Sequence, residues 1–219
     1  MAIISNYRIK KILVTLKELY PEVKTQLHHN NAFELLIATI LSAQCTDRQV
    51  NAVVPKLFQR LKTPTDFINV KTETLESLIH STGFYHNKAK NIKKCCEMLQ
   101  SKFNGQVPGK MKELIQLPGV GRKTANVVLG TVFGKQTIVV DTHVSRISQR
   151  LGLTVQKNPE KIEQDLMTCI PKKHWNDFSL QIIHLGRQCC KAPTPNCQNC
   201  QLTRWCELFL TNEKNNQEK

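Results

Sequence analysis

Apolar residues recur at helical spacing along almost the whole chain of 219 residues. The clearest case is the segment NAFELLIATILSAQ, residues 31–44, in which apolar side chains follow the i, i+3, i+4, i+7, i+8 pattern of a helix face: Phe33, Leu36, Ile37, Ile40 and Leu41. Because Leu35 and Ala38 widen this stripe, the segment predicts a helix that is buried on most sides. The stretch TIVV, at 137–140, is too short and solitary for a sheet, so we predict an all-α fold.

Helix ends are marked by residues with capping chemistry. Thr46 followed by Gln49 predicts a capping box, and Pro64 after Thr63 fits the first turn of another helix. Asn87 predicts the start of the helix that contains NKAKNIKKC, whose lysines are interpreted as a solvated helix face. The polar segment 212–219 is predicted to be disordered.

The charge of the chain predicts a polyanionic partner. Thirty-one Lys and Arg residues against 17 Asp and Glu give a formal net charge of +14. Nucleic acid is favoured over a membrane surface, because the longest apolar runs are too short to span a bilayer. The first residues, MAIISNYRIKK, do not have the pattern of a signal peptide, so we expect a cytoplasmic protein, associated with the nucleoid if the source is bacterial.

The cysteines predict a metal site rather than a disulfide framework. Of nine cysteines, Cys190, Cys197, Cys200 and Cys206 form a C-x6-C-x2-C-x5-C pattern near the carboxyl end. A structural zinc site usually pairs two short knuckles, and only one is present, so the spacing favours a [4Fe–4S] cluster, with zinc as the alternative. Cys189, beside the first candidate ligand, could compete with it.

The stretch LPGVGRKTAN, residues 117–126, predicts a helix–hairpin–helix motif. It does not fit a Walker loop, because Arg122 separates Gly121 from the lysine, and it lacks the third glycine of the dinucleotide-binding fingerprint. The N–H groups of Gly119, Val120, Gly121 and Arg122 are therefore expected to hold a nucleic-acid phosphate at the start of the second helix. Alanine at position 121 is expected to crowd that phosphate and to strain a turn with positive φ.

Lys123 and Asp141 are the candidate catalytic pair. Lys123 lies in the first turn of the second helix, where the helix dipole, Arg122 and partial burial favour a reactive free amine; the alternative is a lysine that contacts phosphate. A helix and an extended return of about 20 Å each would bring Asp141 back beside Lys123. Asp141 also fits the N-cap of the following helix.

The motifs LPGVGRKTANVVLG and VDTHVSR, together with the four spaced cysteines, resemble those of the endonuclease III family, and the resemblance extends from FELLIATILSAQCTD to Cys206. It implies a helix-hairpin-helix DNA glycosylase fold with a six-helix barrel domain, 25–135, in which the hairpin occupies about 110–133. A [4Fe–4S] cluster domain would comprise 1–24 and 136–211, with the active site in the cleft between the domains. By the same resemblance, Lys123 forms a Schiff base and Asp141 is the catalytic carboxylate.

The resemblance also implies a reaction. A monomeric, bifunctional DNA glycosylase and apurinic/apyrimidinic lyase would remove oxidised pyrimidines from damaged double-stranded DNA, with strand cleavage by β-elimination. The alternatives are a monofunctional mismatch glycosylase of the adenine type, which would activate water and need no lysine at position 123, and a non-catalytic DNA-binding module with a structural metal.

Access to a base inside a duplex requires the nucleotide to flip out, which leaves a gap to fill. By resemblance, Gln44 enters the stack opposite the lesion and Phe84 acts as a wedge where relatives often carry leucine. The alternative for Phe84 is a packing contact at a helix end. Lys191 is a candidate backbone contact or a solvated charge. Many family members read His-Gly-Arg where this chain has Leu185 before the glycine, so His184 is assigned no role and is expected to pack against its own domain.

Overall fold

A computed structural model describes residues 5–217, and within this range the secondary structure is helical, which confirms the predicted all-α class. The α-helices of the described chain are α1 (Asn6–Leu19), α2 (Ala32–Leu41), α3 (Asp47–Arg60), α4 (Pro64–Asn69), α5 (Thr72–Ile79), α6 (Tyr85–Phe103), α7 (Met111–Leu114), α8 (Arg122–Thr131), α9 (Thr142–Arg150), α10 (Pro159–Cys169), α11 (Trp175–Gln188) and α12 (Glu207–Gln217).

The helices form two compact units. One unit is continuous, from Thr25 to Lys135, and contains α2 to α8. The other contains α1 and α9 to α12, so it is built from both ends of the chain. Each unit has its own hydrophobic core, as expected for chain lengths of this order.

The core of the continuous unit is centred on α2. Every residue from Phe33 to Leu41 is buried, which confirms the prediction of a helix enclosed on most sides. Helices α3, α6 and α8 pack against α2, and α4 and α5 pack against α6. The hairpin between α7 and α8 is therefore attached to the most buried element of this unit.

One predicted capping box and one predicted helix start differ from those observed, although Thr46 is the N-cap of α3 as predicted. Thr46 does accept a hydrogen bond from the backbone N–H of Gln49 (3.2 Å), but the Gln49 amide donates to the hydroxyl of Ser81 (2.8 Å) instead of returning to the cap, so the predicted capping box is only half formed. A complete capping box starts α4, where Thr63 and Asp66 cap each other. Helix α6 begins at Tyr85 and not at Asn87.

The unit built from the chain ends packs α9 closely against α11. Gly186 permits this contact: a Cβ atom added there would lie 2.4 Å from Nδ1 of His143, closer than two atoms can approach. The buried side chains of Ile147 and Ile182 belong to the same core. This close packing fixes the position of α9, whose first residue follows Asp141.

The segment TIVV runs extended along α11 without pairing into a sheet. The backbone N–H of Thr137 donates to the side-chain oxygen of Asn176 (2.9 Å), and that of Val139 donates to the hydroxyl of Ser179 (3.0 Å). Side chains of α11 thus accept hydrogen bonds from backbone N–H groups that would otherwise donate to a neighbouring strand. At the far end of the chain, the segment 212–217, expected to be disordered, continues α12, while 218–219 lie outside the described residues.

Candidate active site and nucleic-acid interface

The hairpin before α8 is a tight turn from Leu117 to Val120. The N–H of Val120 donates to the carbonyl oxygen of Leu117 (3.0 Å), with Pro118 and Gly119 at the two central positions. Gly119 has φ +80°, the value that a type II turn requires at its third residue. A Cβ atom at Gly119 would also lie 3.0 Å from Cβ of Asn91, so backbone conformation and packing both demand glycine here.

Gly121 has a different role from the one expected of it. Its φ of −88° and ψ of 177° are an ordinary extended conformation, so the expected strain of a positive φ belongs to Gly119 and not to Gly121. A Cβ atom at Gly121 would meet no atom within 4 Å. Gly121 is the N-cap of α8 and supplies no side-chain hydrogen bond, which leaves the start of this helix open to an external acceptor.

Val120 does not fit its expected part in phosphate binding. Its N–H is used inside the turn and its side chain is 6% exposed, so this residue anchors the hairpin to the core. Gly119, Gly121 and Arg122 are all exposed. The outward-facing part of the motif is therefore formed by the two glycines and the first turn of α8.

Lys123 is exposed in the first turn of α8, so the partial burial expected for it is not found. Ala125 and Asn126, on the inner face of the same helix, are buried. The lysine ammonium thus stands on the solvent side of α8, next to Arg122 and close to the open helix start. A substrate that bound the helix start would lie within reach of a lysine at this position.

Asp141 is the N-cap of α9, as predicted. Its Oδ1 atom accepts a hydrogen bond from the backbone N–H of Val144 (2.8 Å), and its backbone is extended. The preceding Val140 is buried, and Asp141 itself is half-buried. A carboxylate held by both its backbone and its cap has little freedom to turn, which suits a group that must face a substrate.

Gln44 and Phe84 share an unusual backbone conformation. Gln44 has φ 52° and Phe84 has φ 50°, both in the left-handed region that non-glycine residues seldom adopt. Both side chains are exposed, and Phe84 exposes 62% of its surface. Phe84 is therefore not the packed residue of the alternative interpretation, and both residues project from strained loop positions.

Arg150 organises the cysteine-rich segment. Its guanidinium group donates to Sγ of Cys190 (3.2 Å), to the carbonyl oxygen of Lys191 (2.8 Å) and to that of Pro193 (3.0 Å). The carbonyl oxygen of Arg150 accepts a hydrogen bond from the thiol of Cys206 (3.3 Å). One residue of α9 therefore contacts the first and the last of the four spaced cysteines.

The two central cysteines lie on a short turn. The N–H of Cys200 donates to the carbonyl oxygen of Cys197 (3.1 Å), which fixes the spacing of the knuckle. Burial raises the pKa of the Cys200 thiol to about 11, and burial also raises the pKa of the Cys197 and Cys206 thiols. These thiols hold their protons at neutral pH unless a cation replaces them.

Three further residues were singled out by the sequence. The thiol of Cys189 donates to the carbonyl oxygen of Asn196 (3.2 Å) and also contacts the thiol of Cys200, so Cys189 lies among the candidate ligands. Lys191 is exposed. His184 stacks on Tyr20 with 5.6 Å between ring centroids, as expected for a residue packed within its own unit, and burial lowers the pKa of its imidazole.

Sequence reasoning missed three side chains that shape the candidate sites: Arg146, Arg150 and Lys88. Arg146, one turn before Arg150, donates to the carbonyl oxygen of Cys190 (3.0 Å), and the i, i+4 spacing of these two arginines was the available signal. Lys88, in the basic segment interpreted as solvated, is 5% exposed, and its ammonium donates to the carbonyl oxygens of Leu41 and Thr82.

The fold and the hairpin define the class of this chain. Residues 37–172 match the family described as "HhH-GPD superfamily base excision DNA repair protein". The fold also superposes on a solved structure described as "Structure of a non-covalent Endonuclease III-DNA Complex", with a TM-score of 0.91 and 45% identity over 97% of this chain and 100% of that one. A structure of "a Trapped Endonuclease III-DNA Covalent Intermediate" matches equally well, with a TM-score of 0.91 and 45% identity over 96% of this chain and 100% of that one.

Curated relatives agree with the solved structures. Endonuclease III of Synechocystis is 50% identical over 91% of both chains, and that of Escherichia coli is 42% identical over 90% of this chain and 93% of its own. The chain belongs to the endonuclease III family of base-excision repair enzymes. It is a bifunctional DNA glycosylase and apurinic/apyrimidinic lyase for oxidised pyrimidines, which excludes the mismatch-specific and the non-catalytic alternatives.

Among residues 5–217, no helix is both long enough and apolar enough to cross a membrane.

Proposed function

We propose that Lys123 is the nucleophile of this enzyme and that Asp141 is its catalytic carboxylate. The observation that carries the proposal is the exposed ammonium of Lys123 in the first turn of a helix whose start has no side-chain cap. Once deprotonated, the Nζ atom attacks C1′ of the damaged nucleotide while the bond from C1′ to the base breaks, and the departing base takes up a proton. The sugar ring then opens: the C1′–O4′ bond breaks, the lysine nitrogen loses its remaining proton and O4′ takes up a proton, which gives the imine. The imine activates the sugar for β-elimination, which cuts the strand on the 3′ side.

Asp141 supports this attack through its charge. As the base departs, positive charge develops on the sugar, and a fixed carboxylate stabilises it. The same carboxylate can accept the proton that Lys123 must lose. The hydrogen bond from the Val144 N–H holds the carboxylate in one orientation, so the N-cap role and the catalytic role are compatible.

The hairpin holds the DNA backbone in this account. Gly119, Gly121 and Arg122 are exposed at or beside the start of α8, where the helix dipole favours a phosphate, and their N–H groups would hold it. Arg122 adds a charged side chain, and Lys191 adds an exposed one from the cysteine-rich segment. These contacts are independent of sequence, as suits an enzyme whose lesions can occur anywhere.

Gln44 and Phe84 open the duplex in this account. Each projects an exposed side chain from a strained loop position, the kind of outlier that is retained where function requires it. Gln44 fills the gap opposite the flipped nucleotide, and the aromatic ring of Phe84 separates neighbouring bases by stacking against one of them.

The four spaced cysteines fit a [4Fe–4S] cluster by their donor chemistry. Four half-buried thiols occupy one short segment, and Arg150 contacts its first and last cysteine. Within the described chain, no three Cys, His, Asp or Glu side chains converge as the ligands of one metal ion do. In a [4Fe–4S] cluster each cysteine thiolate binds a different iron atom, so the four ligands surround a larger group than a single metal ion. Cys190, Cys197, Cys200 and Cys206 would hold it, and its bonds would fix the fold of this segment.

The partner and the compartment follow from the reaction. The enzyme acts as a monomer on damaged double-stranded DNA. Its nine cysteines are all free, which suits the reducing cytoplasm, and in a bacterial cell the substrate lies in the nucleoid.

The experiment that tests this function uses the purified protein and a set of duplexes that each carry one defined lesion. Oxidised pyrimidines should be released and the strand cleaved at the same site, and sodium borohydride should yield a covalent protein–DNA product. Base release without cleavage or trapping would contradict the lysine mechanism. Brown protein with broad visible absorption supports the cluster, whereas colourless protein with stoichiometric zinc after iron-replete, anaerobic expression would contradict it.

A further inference from the structure

Two loops of the continuous unit each carry one exposed residue whose backbone φ is positive. The first, which we call the glutamine loop, is residues 42–46 and follows α2; the second, the phenylalanine loop, is residues 80–84 and precedes α6. Gln44 and Phe84 have φ values of 52° and 50°. The other non-glycine residue with positive φ among residues 5–217 is Asn104, an asparagine at a helix end, where this conformation is ordinary.

Both loops are closed by short local hydrogen bonds. In the glutamine loop, the N–H of Cys45 donates to the carbonyl oxygen of Ser42 (3.1 Å). In the phenylalanine loop, Gly83 adopts φ +69°, and the carbonyl oxygen of Phe84 accepts the first hydrogen bond of α6 (3.0 Å). These bonds shape each loop separately, but they do not fix one loop relative to the other.

Lys88 connects the end of α2, directly before the glutamine loop, to the phenylalanine loop. Its ammonium donates to the carbonyl oxygen of Leu41 (2.7 Å), the last residue of α2, and to that of Thr82 (2.8 Å), two residues before Phe84. The side chain is 5% exposed, and desolvation lowers the pKa of its ammonium. Burying a cation costs free energy unless polar groups bind it. Because the Lys88 ammonium binds both carbonyl oxygens through short, charge-assisted hydrogen bonds, it fixes the distance between Leu41 and Thr82.

We propose that Lys88 is a positioning residue for duplex opening: it fixes the separation of the glutamine and phenylalanine loops so that Gln44 and Phe84 enter the DNA as a matched pair. The inference rests on the proposed roles of those two residues. Successive bases along a strand are only 3.4 Å apart. A small relative shift of the two loops would therefore direct one side chain to the wrong base step.

The chain offers a matched control on the same helix. Lys93, which is half-buried, donates to the carbonyl oxygens of Phe67, Ile68 and Val70 at the end of α4. Like Lys88, it joins α6 to another element through backbone carbonyls, but it touches neither loop. Lys88→Met and Lys93→Met both keep an unbranched side chain that is one atom shorter and remove the charge and the donors, so both should lower the melting temperature.

Duplex and single-stranded substrates separate positioning from folding. One substrate is a duplex with a single oxidised pyrimidine, and the other is a single strand with a preformed abasic site, which needs no opening. Lys88→Met should release the base from the duplex about tenfold more slowly than the unaltered protein in single-turnover assays, because the charge-assisted bonds to the carbonyl oxygens of Leu41 and Thr82 are lost. Its rate of cleavage of the single strand should stay within about twofold of that of the unaltered protein. Lys93→Met should leave the ratio of the two rates unchanged. A fluorescent base analogue opposite the lesion should show weaker unstacking with Lys88→Met.

A comparison in the background of a double variant tests whether Lys88 acts through Gln44 and Phe84. In the background of Gln44→Ala with Phe84→Ala, Lys88→Met should cause no further loss on the duplex, because there is no pair left to position. Three results would each overturn the inference. Lys88→Met could lose equal activity on the duplex and on the single strand, or it could lose as much duplex activity in the Gln44→Ala, Phe84→Ala background as in the unaltered protein. Lys93→Met could also change the ratio of the two rates as Lys88→Met does. If Gln44→Ala with Phe84→Ala loses no duplex activity, the proposed roles of the two residues fail, and this inference with them. Should Lys88→Met not fold, Lys88→Gln, whose shorter side chain keeps an amide donor group but carries no charge, is measured against the same outcomes.

Discussion

The Oδ1 atom of Asp141 lies 2.8 Å from the backbone nitrogen of Val144, so the proposed catalytic carboxylate is also the N-cap of α9. Structure and chemistry therefore depend on the same side chain, and substitutions can separate them. An asparagine retains an oxygen that accepts the cap hydrogen bond but carries no charge, whereas an alanine loses both.

Asp141→Asn should slow base release by more than tenfold with little change in thermal stability, because the charge that stabilises the sugar cation is lost while the cap is kept. Asp141→Ala should lose activity to a similar extent and also about 1 kcal/mol of stability. Single-turnover base release and thermal unfolding measure the two effects. Full activity in Asp141→Asn would show that the carboxylate has only the structural role.

The two hairpin glycines should respond to alanine in different ways. Gly119→Ala should lower the melting temperature, because φ is +80° and the new Cβ atom would lie 3.0 Å from Asn91. Gly121→Ala should keep the melting temperature, since φ is −88° and the space around it is open, yet weaken binding to undamaged duplex by crowding the phosphate. Unchanged affinity of Gly121→Ala would place the phosphate elsewhere.

The residues that sequence patterns predicted well are those whose roles are local. The apolar spacing around Leu36 predicted a buried α2, and the Asp141 cap depends on a residue three positions away. The start predicted at Asn87 was wrong by two residues, because the chain turns through the positive φ values of Gly83 and Phe84 and enters α6 at Tyr85; boundaries are the part of an element that sequence patterns specify least.

Sequence patterns did not predict the polar contacts between residues that are far apart in the chain. The Lys88 ammonium binds a carbonyl oxygen 47 residues away in sequence, and Arg150 binds a thiol 40 residues away. Lysine and arginine side chains on a helix are usually exposed to solvent. In addition, every residue has a backbone carbonyl group, so the sequence does not indicate which of them accepts a hydrogen bond from a side chain. The i, i+4 spacing of Arg146 and Arg150 is a signal in the sequence, but the partners of these arginines and of Lys88 are identified only from the structure.

Arg150→Met should lower the iron content and the visible absorbance of the purified protein. The substitution removes the donors to Cys190, Lys191 and Pro193 that hold the loop of the first proposed ligand. An iron assay per mole of protein provides the measurement, and Arg48→Met, an exposed arginine of the other unit, is the control. Equal iron content in both variants would show that the cysteine loop holds its shape without Arg150.

Binding to undamaged duplex should weaken log-linearly as salt increases, because phosphate contacts release counterions. Arg122→Ala should reduce the slope by about one unit if its side chain neutralises one phosphate. Lys157→Ala removes the same charge from an exposed position outside every proposed DNA contact and should leave the slope unchanged. Equal slopes for the two variants would argue against a phosphate contact by Arg122.

Borohydride trapping on a duplex with one oxidised pyrimidine tests the central claim most directly, because only an imine between an enzyme amine and the sugar can be reduced to a stable link. The unaltered protein should be trapped. Lys123→Ala should give neither a trapped complex nor strand cleavage while it still binds the damaged duplex, and Lys112→Ala, an exposed lysine of α7, should be trapped normally. A trapped complex with Lys123→Ala would show that another amine is the nucleophile and would contradict the account.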